Sequence, residues 1–187
     1  IDRNNHRLQI LTTGVKIKNL ISSADVLNAT NSASLVRMSV NLTIPEASQL
    51  NAEMYFGDYI VSDFTIDLTN DRDWVSVNAI VLPEESRSLV VNLNPTDAPG
   101  VSATHSLFVV KQSGQSSVRV CDSAVTIAEV VEGCSGYTLV QGDPNLSVVS
   151  VGAVEYWKVS GLTGTGAISV VDPSPSSTPT PSSSGVS

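Results

Sequence analysis

Histidine, cysteine, aromatic residues and positive charge are all scarce in this chain of 187 residues. Two histidines, His6 and His105, leave little equipment for general acid–base chemistry. Two cysteines cannot supply a zinc site without two further ligands, and both histidines lie far from them in sequence. Only 5% of the residues are aromatic, few for a surface that stacks bases or sugar rings. Ten Lys and Arg against 18 Asp and Glu give a net charge of −8. Such a surface repels phosphate backbones and anionic lipid heads, so nucleic-acid binding is not expected. No run approaches the roughly 18 apolar residues that mark a membrane span, so no membrane insertion is expected either. No Gly-x-Ser-x-Gly elbow occurs. The opening Ile1-Asp2-Arg3-Asn4-Asn5 has neither Met nor a signal-peptide pattern, and reads as a processed end or a cut fragment.

What the sequence does have is alternation. From Val36 to Ile44 every even position is apolar and every odd one polar, which buries one face of an extended strand. Residues 63–69, 74–81 and 88–93 repeat the pattern, with Val75, Val77, Ala79 and Val81 on one side. Further extended runs are read at 8–11, 15–21, 53–61, 105–111, 117–121, 137–140, 146–151, 154–159 and 167–171. Most are rich in Val, Ile, Thr or aromatic residues, which fit a pleated, half-buried surface. Turn residues separate them, among them Pro45, Asn94-Pro95, Ser113-Gly114, Gly142-Asp143-Pro144 and the stretch from Gly161 to Gly166. Short strands at this spacing predict an all-β, antiparallel β-sandwich, immunoglobulin-like or jelly-roll-like. One stretch, Ser123 to Glu132, has a candidate N-cap Ser and Gly133 beyond its end, so a helix or a single helical turn is read there.

Composition shifts near residue 112: Gly14, Gly57 and Gly100 precede it, and the other nine of the 12 glycines follow. The shift suggests a β-sandwich domain over 1–112 and a smaller disulfide-containing β-module over 113–171; a single sandwich with late glycine turns is the alternative. Residues 172–187 hold four of the nine prolines and almost nothing apolar, so they read as an extended Pro/Ser/Thr linker or tail. Its O-glycosylation candidates are Ser174, Ser176, Ser177, Thr178, Thr180 and Ser182.

Twelve residues separate Cys121 from Cys134 in a chain with no other cysteine, a pattern read as one disulfide in an oxidising, extracellular compartment. Sequons place candidate N-linked sugars at Asn28, Asn41 and Asn145. Alternation puts Asn41 on the solvent face of its strand, and Asn28 falls in a loop-like polar stretch. Asn70, Asp71 and Asp73 offer hard oxygen ligands of the kind calcium takes, but they lack the glycine and the terminal Glu of an EF-hand loop. A solvated acidic turn explains them better, so no metal and no cofactor are expected. Tyr156 and Trp157 alternate to opposite sides of their strand, with Trp157 read as core; Trp74 and Tyr59 fit core or rim. An enzyme would require His105 to meet a carboxylate and a Ser.

The runs Val120-Cys121-Asp122-Ser123, Gly133-Cys134-Ser135-Gly136-Tyr137-Thr138-Leu139 and Tyr156-Trp157-Lys158-Val159-Ser160-Gly161-Leu162-Thr163-Gly164-Thr165-Gly166 carry a resemblance. Over residues 119–170 the chain resembles small Cys-pair β-modules in secreted surface proteins of uncultured archaea and candidate-phylum bacteria. That resemblance implies a structural or adhesive role outside the cell, without catalytic residues. The expected function is therefore a glycosylated cell-surface, adhesin or filament subunit that associates with itself or with other surface proteins. Segment 7–21 is a candidate for adding a strand to a neighbour. A carbohydrate-binding accessory module of a larger secreted enzyme is the second expectation.

Overall fold

The computed structural model describes residues 5–11, 15–19, 25–28, 36–41, 50–67, 72–75, 77–163 and 166–171; for the strands before residue 50 it describes the backbone pairing. Three sheets account for the strands. The largest has the spatial order β13 (Leu146–Val151), β14 (Val154–Leu162), β10 (His105–Val110), β6 (Tyr59–Ile66), β5 (Leu50–Phe56), β2 (Val15–Asn19), β3 (Asp25–Asn28). The second runs β12 (Gly136–Val140), β11 (Gln115–Cys121), β15 (Gly166–Val171), β9 (Arg87–Val91), β8 (Asn78–Leu82). A third joins β4 (Val36–Asn41), β1 (Asn5–Leu11) and β7 (Arg72–Val75). The β1–β7 pair is parallel, and every pair in the two larger sheets is antiparallel.

The fold is an all-β sandwich. Strands β5, β6 and β10 of the larger sheet lie against β8, β9 and β15 of the second. Alternation supplies the core from both sides: Met54, Leu107, Val109, Trp157 and Val159 meet Ala79, Val81, Val90, Val118, Val120 and Ala167. Each fully buried Val, Leu or Met contributes about 1.5–3 kcal/mol of transfer free energy. Trp74 closes one end of this core, packed against Phe64 at 5.9 Å and donating from Nε1 to the Pro99 carbonyl at 3.1 Å.

The outer face of the larger sheet is also dry. Tyr55, Ile60, Phe108 and Tyr156 form a second buried cluster there, with Phe108 and Tyr156 edge to face at 6.1 Å. A bulge makes this two-sided burial: Met54 pairs with Ser62 but Tyr55 pairs with Ile60, which leaves Val61 as the extra residue. Met54 and Val61 face the inter-sheet core, and Tyr55 and Ile60 face outward.

Several local expectations change. The run at 53–61 is a hairpin, broken by a turn at Gly57-Asp58 where Gly57 takes φ +59°. The run at 74–81 is two strands, β7 and β8, so Trp74 and Val77 are both buried despite their odd spacing. Strand β14 continues through Leu162, because a bulge near Gly161 (φ +72°) keeps it in register with β10. The helical stretch shrinks to one 3-10 turn, Ile127–Glu129, capped by Thr126 rather than Ser123. β-Branched residues at 125–127 and 130–131 disfavour a longer helix.

The expected boundary near residue 112 does not separate two cores. Strand β10 lies before it and pairs with β14 after it; β9 likewise pairs with β15. One apolar cluster extends from Ala52 to Ala167.

Candidate functional site

The disulfide builds one corner of the sandwich. Cys121 ends β11 and Cys134 lies two residues before β12, with Cα atoms 5.6 Å apart. Cys121 is buried with Leu89, Ala124 and Val130, and Cys134 packs against that cluster. Inside the loop the Glu129 carboxylate accepts the amides of Val125 (2.7 Å) and Thr126 (3.3 Å). Those bonds favour the ionised form and hold Glu129 below its ordinary pKa, the Val125 bond most of all. Arg119 clamps the far side, donating to the Cys134 carbonyl at 2.6 Å and to Thr138 Oγ1 at 3.4 Å. A depression of about 370 Å³ opens here, lined by Ser123, Ala124, Val125, Glu129, Cys134 and Ser135.

Beyond the bridge runs β12, the terminal strand of its sheet among the described residues. The Asp122 amide donates to the Ser135 carbonyl at 3.2 Å, and the Gln141 amide donates to the Ser116 carbonyl at 3.0 Å. In an antiparallel ladder both backbone groups of a residue point to one side, and the side alternates. Tyr137 and Leu139 therefore bond toward β11, while Gly136 and Thr138 turn their N–H and C=O groups outward. The Val140 amide does the same, its carbonyl being taken by the Asp143 amide at 3.0 Å. Tyr137 and Val140 are 43% and 58% exposed, far more than an apolar side chain in a sheet usually is. Burial, then the charges of Asp122 and Asp143, raise the Tyr137 pKa.

A second opening, about 340 Å³, is lined by residues including Asn51, Asp63, Thr65, Thr104, His105, Ser106 and Gly161. It gathers a His, a carboxylate and a Ser, the combination an enzyme would need. Their arrangement is not a relay. Ser106 stands opposite Asp63 on the outer face, and adjacent residues on a strand alternate, which sends His105 to the other face. His105 is 6% exposed, and Asp63 is held by Lys158 in an ion pair. The groove is a polar surface whose hydroxyls and amide can hydrogen-bond a neutral ligand.

Among the sequons, Asn145 is exposed in the turn before β13, where its amide donates to Asp143 Oδ1 at 2.8 Å. Asn28 is the last residue of β3, in a strand rather than a loop, and Asn41 is the last residue of β4. Asp73 lies within β7, not in a turn. Asn70, Asp71 and the whole tail with its O-glycosylation candidates lie outside the described residues. Tyr156 and Trp74 are each 1% exposed, so neither offers a ring to a sugar.

No protein-family model, curated protein or solved structure matches this chain. The resemblance over residues 119–170 thus rests on sequence pattern alone. Sequence reasoning found the bridge but missed the open edge beside it. The available signal was Gly136-Tyr137-Thr138-Leu139-Val140, a strand with no charged residue and no proline, unlike the guarded edges of most sheets.

Proposed function

We propose that this chain is a non-enzymatic extracellular structural protein, glycosylated and acting through self-association or surface presentation as a cell-surface, adhesin or filament subunit. The observation that carries this reading is the Cys121–Cys134 bridge, built into a sheet corner beside an open, uncharged strand edge. Disulfides persist in oxidising compartments. Open edges in stable sandwiches are normally blunted unless another chain covers them. The test is intact mass of natively produced protein, before and after reduction and deglycosylation, with electron microscopy of the same material. The reading expects both cysteines to resist alkylation until reduced, sugar mass on the chain, and ordered assemblies. Free thiols on native, sugar-free monomers would overturn it.

The polar groove favours the second reading, an accessory carbohydrate-binding module. A glycan array probed with the chain and with Thr65→Ala tests it: binding that the substitution abolishes supports a sugar site, and a blank array removes it.

A further inference from the structure

We propose that Lys158 and Asp63 condense into an intramolecular amide, a covalent cross-link that ties β14 to β6 across β10. This modification of the chain by its own residues is independent of the self-association reading above.

Register brings the reacting groups together. Strands β14 and β6 flank β10, so their backbones stand about 9–10 Å apart. On the outer face Lys158 pairs with Phe108 of β10, and Asp63 pairs with Ser106, two residues along the same strand. The Lys158 side chain crosses over Phe108, with Nζ 5.4 Å from the ring centroid, and donates to Asp63 Oδ2. An ion pair in open water holds no fixed geometry. This one is set by the sheet and shielded, the Lys158 and Asp63 side chains being only 28% and 22% exposed.

A second carboxyl stands beside the pair. Glu53 of β5 is directly opposite Asp63, where cross-strand Cβ atoms lie about 4.5–5.5 Å apart. Carboxylates placed in this way repel. Glu53 has partners of its own: Tyr55 donates its hydroxyl to Oε2 at 2.7 Å, and Lys18 of β2 is in register on the far side. Asp63 is left to Lys158. Turning the Asp63 carboxylate into an amide removes its charge, and with it the repulsion from Glu53.

The condensation is redox-neutral. A proton passes from Nζ to Oδ2 along the existing hydrogen bond, leaving an amine against a carboxylic acid. The Nζ lone pair attacks Asp63 Cγ and forms the Nζ–Cγ bond. Glu53 takes the second proton from nitrogen and returns it to the departing hydroxyl. The Cγ–O bond breaks and water leaves, so ammonium plus carboxylate become amide plus one water. Fixed contact replaces a bimolecular encounter, and well-oriented pairs of this kind reach effective molarities of about 10⁵–10⁸ M.

Intact mass tests the cross-link. The full chain, produced in a host that adds no sugar and then reduced, should be lighter than its own sequence by one water. Trypsin does not cut after an acylated lysine, so a digest should hold residues 38–72 joined to 120–187 as one branched fragment. Lys158→Arg keeps the charge but cannot form this amide, and should show its full sequence mass. Glu53→Gln cannot relay the proton; followed with time after refolding, it should cross-link about 100-fold or more slowly than the parent. A parent chain of full sequence mass overturns the proposal, as does a digest in which the two fragments separate. A water loss that persists in Lys158→Arg overturns it too, and cross-linking of Glu53→Gln at the parent rate overturns the relay. Should Lys158→Arg fail to fold, the mass and digest of the parent still decide.

Discussion

Gly136 shows how tightly a single residue fixes the disulfide corner. Its φ is +144°, and a Cβ built there would sit 1.9 Å from the Val120 carbonyl oxygen. Val120 lies on β11 between β12 and β15, so its carbonyl oxygen cannot move away. Gly136→Ala should therefore destabilise the fold by about 2–4 kcal/mol, read as a loss in denaturant midpoint. Gly114 has φ +83° but open space around it, so Gly114→Ala should cost only about 1 kcal/mol. Glu129 acts on the neighbouring loop through protonation. Its folded pKa is depressed, so its contribution is present above the unfolded value and is lost as pH falls through the folded one. Protection of the Val125 and Thr126 amides, measured as exchange relative to the intrinsic rate at each pH, should fall in acid below the ordinary Glu range, and Glu129→Gln should show reduced protection already at neutral pH. The cysteine pair and its pairing were legible in the sequence. Gly136 was not, because its role comes from a strand that approaches from fifteen residues upstream.

At the scale of elements, the outer face of the larger sheet departs most from simple alternation. A sheet covered on one side reads as apolar-in, polar-out; here Tyr55 and Tyr156 are buried on the out side. Burial, and the bond that the Tyr55 hydroxyl donates to Glu53 at 2.7 Å, hold Tyr55 well above its usual 10.0. Burial raises Tyr156 too, against a hydrogen bond with the Ile60 backbone that works the other way. A raised tyrosine contributes stability that is complete below the unfolded pKa and disappears as pH rises through the folded one. Ultraviolet titration should find these two phenols ionising late, together with unfolding, and Tyr55→Phe should delay alkaline unfolding. The hairpin at Gly57-Asp58 and the split between β7 and β8 were hidden because hydrophobic period alone cannot place a turn inside an apolar run.

For the whole molecule, the question is how many units fold. Strands from both halves of the sequence share both large sheets: β9 pairs with β15, and β10 pairs with β14 and is covered by β15. A piece ending at residue 112 would leave β10 and β9 each with one open edge and would uncover Leu107, Val109 and Val90. It should fail to fold, and the full chain should unfold in one cooperative transition by circular dichroism and fluorescence alike. Breaking the bridge should lower that single transition by about 3 kcal/mol, the chain-entropy value for a loop of this size. Cys121→Ala with Cys134→Ala, melted beside the oxidised parent, measures it.

The all-β class, most strand positions, the Cys121–Cys134 pair and the burial of Trp157 follow from the sequence by itself, since each depends on local period or on residues with a single partner of their kind. Which strands are neighbours, which edge stays open and whether residue 112 divides anything are decided only in three dimensions. Pairing between β9 and β15, or β6 and β10, joins residues far apart in the chain, and no local pattern encodes a partner that distant.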